Sequence, residues 1–209
     1  MPDVQFRPFD EGDFRAVADV VGAYWHALPA PDLQLLWGAL DLATCLRRTT
    51  QAQVALVEGK VAGALLLRTG AIDPEDDADW RGVAQEALDA IRERDPDLAE
   101  LAVACGNEEQ RIDAWLLRES DCDERYEVVL LILAPDARGL GVGRELFAQA
   151  EAAFAAAGAP KYFLFTDDTC TWRFYERHGL FRAAEYHTPA AERDLLAPAY
   201  YLYTGAPTN

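Results

Sequence analysis

The run Val128-Val129-Leu130-Leu131-Ile132-Leu133-Ala134-Pro135-Asp136-Ala137-Arg138-Gly139-Leu140-Gly141-Val142-Gly143-Arg144 has residue types and spacing that point to chemistry. An apolar stretch ends at a proline. An arginine and three alternating glycines follow, and then an apolar-striped helix begins. The first turn of a helix carries backbone N–H groups without intrahelical partners. Aligned peptide dipoles add positive potential there, and glycines let a ligand come close to the main chain. Such a turn is an anion site, and a pyrophosphate is a natural occupant. Arg138 and Arg144 add charge-assisted contacts.

Three ligand classes use this device. A P-loop needs GxxxxGK[ST], and this segment has no lysine. A dinucleotide site needs GxGxxG in an early βαβ unit, and here the third glycine position is Arg144. Coenzyme A, which also carries a pyrophosphate, is the third.

The elements that must hold this turn can be read from periodicity. Tyr126–Leu133 reads as a buried strand, and Gly141–Ala157 as a helix with Val142, Leu146, Phe147, Ala150 and Phe154 on one face. Lys161–Thr166 reads as a strand, Thr169–His178 as a short helix ended by Gly179, and Leu180–His187 and Tyr200–Tyr203 as closing strands. Upstream, a strand at Val4–Arg7 precedes helices at Asp10–Ala27 and Asp32–Thr50, then a hairpin of Gln53–Glu58 and Lys60–Arg68 around Gly59.

Between the hairpin and the long strand lies a different composition. The 209-residue chain carries 36 acidic and 19 basic residues, a net charge of −17. Residues 70–124 hold 18 of the acids against five arginines, a net of −13, which leaves −4 for the rest. The pattern inside this block predicts two or three helices. Trp80, Val83, Ala87, Leu88 and Ile91 form one stripe, and Leu98, Leu101 and Ala102 a second after an Asp95-Pro96 cap. A third, capped by Asn107 and Gln110, carries Ile112, Trp115 and Leu116. The block reads as an acidic helical insertion. Its charge is expected to face water or to attract a cationic acceptor, such as a polyamine or an aminoglycoside-like amine. Burial of its apolar stripes makes a homodimer contact one candidate.

Composition excludes several classes. An apolar fraction of 51% excludes wholesale disorder. The acidity argues against nucleic acid as partner. No apolar run approaches the ~20 residues of a membrane span, and the first residues lack a basic-then-apolar leader, so a cytoplasmic location is expected. Cys45, Cys105, Cys122 and Cys170 are widely spaced and read as packed thiols, with no metal site. His26, His178 and His187 read as structural or exposed.

Arg138-Gly139-Leu140-Gly141-Val142-Gly143 resembles the Gln/Arg-x-x-Gly-x-Gly/Ala motif of the GNAT superfamily of N-acetyltransferases, and Leu133-Ala134-Pro135 fits its lead-in. Phe174-Tyr175-Glu176-Arg177-His178-Gly179-Leu180 is similar to the family's FYxxxGF element, with Leu180 for the usual Phe. The resemblance covers the chain outside 70–124. It implies a single α/β (α+β) domain over residues 1–209, with a mixed sheet splayed between the strands at 126–133 and 161–166 and flanked by helices.

It further implies acetyl-CoA as co-substrate and direct attack by a primary amine of a small molecule or peptide. Leu131 and Leu133 would offer strand edge to the pantetheine arm, and Arg138, Gly139, Leu140, Gly141, Val142, Gly143 and Arg144 would hold the pyrophosphate. Thr169 or Thr171 would stand where the family often has Asn against that arm. Tyr175 falls where the family often places the proton donor for the departing thiolate. Glu127, by strand alternation on the face of Val129, Leu131 and Leu133, is the candidate base. Asp167 and Asp168 read as helix caps. A non-catalytic acyl-CoA sensor of the same fold is the competing expectation.

Overall fold

A computed structural model describes residues 2–207. Seven strands form one mixed sheet: β1 (Val4–Pro8), β2 (Gln51–Val57), β3 (Lys60–Thr69), β4 (Tyr126–Leu133), β5 (Tyr162–Asp167), β6 (Phe181–His187) and β7 (Ala199–Gly205), in the order β1-β2-β3-β4-β5-β7-β6. Among the described residues, β4 and β5 are the one parallel pair; every other neighbour is antiparallel. The β4–β5 pair meets at a single register position, Glu127 opposite Phe163. Beyond it β5 continues on β7 while β4 continues on β3, so the sheet opens as a V.

Six helices cover the two faces: α1 (Phe14–Trp25), α2 (Pro31–Leu46), α3 (Pro74–Arg94), α4 (Pro96–Glu119), α5 (Val142–Ala156) and α6 (Arg173–Arg177). On one face, Val142, Leu146, Phe147, Ala150 and Phe154 of α5 pack on Leu65, Leu67, Val128, Tyr162, Leu164 and Tyr203. On the other, α1 and α2 pack on Val54, Ala64, Leu66, Val129, Leu130 and Ile132, while Ile112 and Leu116 of α4 pack on Phe163 and Leu202. The helices α1 and α2 touch through their main chains. A Cβ on Gly38 would fall 2.2 Å from the Ala18 carbonyl oxygen, and one on Gly22 2.3 Å from that of Gln34.

Several element boundaries differ from the sequence reading. The first helix is preceded by a 3-10 turn at Glu11–Asp13, where Asp10 and Asp13 form a capping box. The second starts at Pro31, whose fixed φ suits a first helical position. Residues 70–124 hold two helices, since α4 runs unbroken through Gly106 and Asn107. A lone helical glycine costs about 1 kcal/mol, and burial of Ala99, Ala102, Ile112 and Leu116 outweighs that. Leu101 is exposed; the covered stripe is Ala99 and Ala102, packed with Trp37 and Ile91. Trp80 stacks on Phe14. The stripes of α3 and α4 are thus covered within the chain, and their burial calls for no second copy. The helix expected over Thr169–His178 is one short turn, Arg173–Arg177, after a turn at residues 168–170 in which Asp167 accepts from the Thr169 and Cys170 N–H groups.

Candidate active site

The turn before α5 is built by its glycines. Gly139 and Gly141 have φ of +80° and +82°, a region that L side chains rarely adopt, and a Cβ on either would meet nothing within 4 Å. Main chain is therefore bare to solvent there. Gly141 is the N-cap, and no side chain caps the helix. The Glu145 N–H is the first to close an α-helical bond, to the Gly141 carbonyl, so the amides of Val142, Gly143 and Arg144 precede the ladder. Gly143 serves packing: a Cβ there would sit 3.0 Å from Leu133 Cδ1. Arg138 is exposed, with its guanidinium 5.2 Å from the ring centre of Tyr24 on α1, and Leu140 and Arg144 are also exposed. These residues form an exposed helix start with no side-chain cap, flanked by two arginines, an arrangement able to receive an anion.

Tyr175 lies on α6, which follows β5. Its ring packs among Phe147, Phe174 and Tyr203. Burial pushes its hydroxyl well above the ordinary tyrosine range, with Cys170 and Tyr24 adding to the rise. Among the described residues that hydroxyl has no hydrogen-bond partner. It is a protonated donor at neutral pH. Thr169 follows β5 in a turn, and both its N–H and its hydroxyl donate to Asp167 Oδ1, at 2.7 and 2.5 Å. Asp167 also accepts from Cys170 N–H. Burial pushes the Cys170 thiol up to about 11, and Cys45 to about 12, so both are inert packed thiols.

Glu127 is placed differently from the alternation argument. Leu66 pairs with Leu130 and Leu67 with Val128, so Val129 is an extra residue in β4. This bulge resets the alternation. Leu131 and Leu133 side with the α5 core, as does Val128, whereas Glu127 turns to the opposite face. There its side chain is 1% exposed, with Oε2 accepting from Arg68 Nη2 at 2.9 Å. Arg48 Nη1 lies 3.1 Å from Oε1, an ion pair without hydrogen-bond alignment. Two guanidiniums pin one carboxylate.

A cavity of about 170 Å³ opens over this clamp, lined by Arg48, Arg68, Gln110, Asp113, Ala114, Leu117, Phe163 and Phe165. Burial pushes Asp113 up to about 7; Arg48 pulls it down, and Glu127 and Glu109 push it further up. Glu109, one helical turn away, is also raised to about 7, by burial first and then by Asp41 and Asp167. Glu109 is exposed on α4. Asp41 is itself held by His26, which stacks on Trp37.

The fold thus brings the 138–144 turn, Leu131, Leu133 and Tyr175 to the α5 side of the gap, and Glu127 to the other. Sequence reasoning missed Arg48, Arg68, Asp113 and Glu109. The readable trace was Glu109 and Asp113 falling on the inner stripe of α4, between Ala102 and Leu116, where an amphipathic helix carries apolar residues.

The sequence model of the acetyltransferase (GNAT) family matches residues 18–180. The chain belongs to this GNAT family. No curated protein matches it by sequence. Among solved structures, SsHAT aligns over 100% of both chains with a TM-score of 0.64 at 19% identity. Ard1 from Thermoplasma volcanium covers 99% of each chain, with a TM-score of 0.56 at 12% identity. The ribosomal-protein-S18-alanine N-acetyltransferase from Escherichia coli covers 99% of this chain and 96% of its own, with a TM-score of 0.54 at 11% identity. At these identities the likeness is one of fold. It agrees with the seven-stranded mixed sheet and its flanking helices, and membership makes this GNAT protein an acyltransferase. No group of three or more His, Cys, Asp or Glu able to hold a metal occurs among the described residues, and no helix there is long and apolar enough to cross a membrane.

Proposed function

We propose that the chain transfers an acetyl group from acetyl-CoA to a primary amine of a small molecule or peptide by direct attack. The observation that carries this reading is the β4–β5 gap, held open at one register pair, beside an uncapped helix N-terminus with bare glycine main chain. Acetyl-CoA supplies a thioester. The main-chain amides after Gly141, with Arg138 and Arg144, hold the pyrophosphate. Leu131 and Leu133 present strand edge to the pantetheine arm, and Thr169 flanks it. A β4 amide facing the gap polarises the thioester carbonyl.

The proton inventory closes. Of three hydrogens on the acceptor ammonium, one passes to a carboxylate at the closed end of the gap and on to solvent. One ends on the coenzyme thiol by way of Tyr175, and one stays on the amide. The acidic helices α3 and α4 cover the acceptor side, and their field favours a cationic amine.

The test is thermal denaturation with CoA and acetyl-CoA, followed by thiol release over a panel of amines. A Tm rise of several degrees with either coenzyme and amine-dependent thiol release are expected. Stabilisation by NAD but not by CoA overturns the reading; stabilisation by CoA without turnover of any amine leaves a sensor.

A further inference from the structure

We propose that the cavity between α4 and the closed end of the β4–β5 gap receives the acceptor amine, that Asp113 binds its ammonium and takes its proton, and that Glu127 is a fixed counter-charge and not the base. The inference rests on the acetyl-transfer reading above and assigns the acceptor's place within it.

The argument starts from which carboxylate is free to move a proton. Glu127 is enclosed, and both its oxygens face guanidiniums, Arg68 at 2.9 Å and Arg48 at 3.1 Å. Taking a proton there would leave two partly buried guanidiniums without the anion they both face. Asp113 is the opposite case. It is half-buried and lines the cavity, and its carboxylate makes no hydrogen bond among the described residues. A base near its working pH is the efficient one, and burial has brought Asp113 to about 7.

The cavity's place fits the task. Its floor includes Phe163, the residue paired with Glu127 at the last β4–β5 contact, and Phe165, the next residue of β5 on that face. It lies across the sheet from α5 and the glycine turn, so an amine entering here approaches the gap from the side opposite the coenzyme. The charges facing Asp113 are Arg48 from the turn after α2, Arg68 from β3, Glu127 from β4 and Glu109 from its own helix. Glu127 offsets part of the charge of the two guanidiniums, and Asp113 is the carboxylate that lines the cavity and can receive an ammonium. The remaining walls, Ala114, Leu117, Phe163 and Phe165, are apolar. The ligand class is therefore a primary ammonium on a short apolar or aromatic stem.

The experiment titrates benzylamine, phenethylamine and n-hexylamine into the CoA-loaded protein by calorimetry, with phenethyl alcohol as the uncharged control. It compares wild type with Asp113→Asn, Asp113→Glu and Glu127→Gln. At least one amine should bind, and Asp113→Asn should weaken it about 10- to 100-fold, the loss of one charge-assisted contact; the alcohol should bind both alike. In turnover, kcat/KM should rise through pH 7 for wild type. Asp113→Asn should flatten that rise with the acetyl-CoA KM unchanged, and Asp113→Glu should restore it in part. Glu127→Gln should keep a rise with pH, moved to lower pH because the Glu127 charge no longer holds Asp113 up. No binding by any of the three amines, equal binding by Asp113→Asn, or an unchanged pH profile in that variant overturns the proposal. Amine binding that depends on Asp113, without acetyl transfer, leaves the pocket standing and removes the acetyl-transfer reading.

Discussion

The two faces of the sheet are built on different principles. The α5 face is dry and ring-filled: Phe154 stacks on Tyr162, and Phe147 meets Tyr162, Phe174, Tyr175 and His178. A main-chain feature marks it, the bare turn at Gly139–Gly141. The opposite face is apolar under α1 and α2, but beside α4 it carries charge: a clamped Glu127, two arginines and carboxylates raised towards 7. The difference teaches that a site made of backbone is written as a local motif, whereas a site made of side chains from α2, β3, α4 and β4 is written nowhere in particular.

The sharpest way to break the contrast is to strip the clamp. Glu127→Ala leaves Arg48 and Arg68 facing each other without an anion and should cost about 3–5 kcal/mol, read as a fall in Tm and in the urea midpoint. If the loss is under about 1 kcal/mol, the clamp is not what holds the charged face.

Next is the helix pair that carries the end of that clamp. Gly38→Ala sets a methyl against the Ala18 carbonyl oxygen and should destabilise by about 3 kcal/mol through overpacking. On the dry face, Tyr175→Phe should lower kcat about 100-fold, the low end of general-acid effects, with the CoA-induced Tm shift retained.

The smallest effect is also the most specific. Asp113 binds a proton more tightly folded, at about 7, than its ordinary value of 3.8. Between roughly pH 4 and 7 the native state therefore holds more protons than the unfolded one, and stability falls as pH rises through this window. Asp113→Asn should reduce that fall by about 1 kcal/mol, a few degrees in Tm at pH 8 relative to pH 5. Activity runs the other way, rising with deprotonation over the same range.

Legibility followed the same divide. The strand order, the helix after Gly141 and the 138–144 turn were readable because period and glycine spacing are local signals. The acidic block was readable as helices. It was not readable as two, because Asn107 and Gln110 offer cap chemistry that the buried stripe of α4 overrides. The facing of Glu127 was unreadable for a sharper reason: alternation counts residues, and nothing in a run of Val and Leu marks which one is extra. Arg48 and Arg68 stand 20 residues apart and meet at Glu127, Arg68 across the β3–β4 register and Arg48 from the turn after α2.

That extra residue has a consequence for how the gene can change. Loss of the codon for Val129 would leave Val128 beside Leu130 in ordinary alternation, so every inward and outward assignment along β4 survives. The fold is expected to tolerate it. What disappears is the local twist that steers the second half of β4 away from β5, and with it the slot. A shortened chain of this kind would be soluble and folded yet zipped shut.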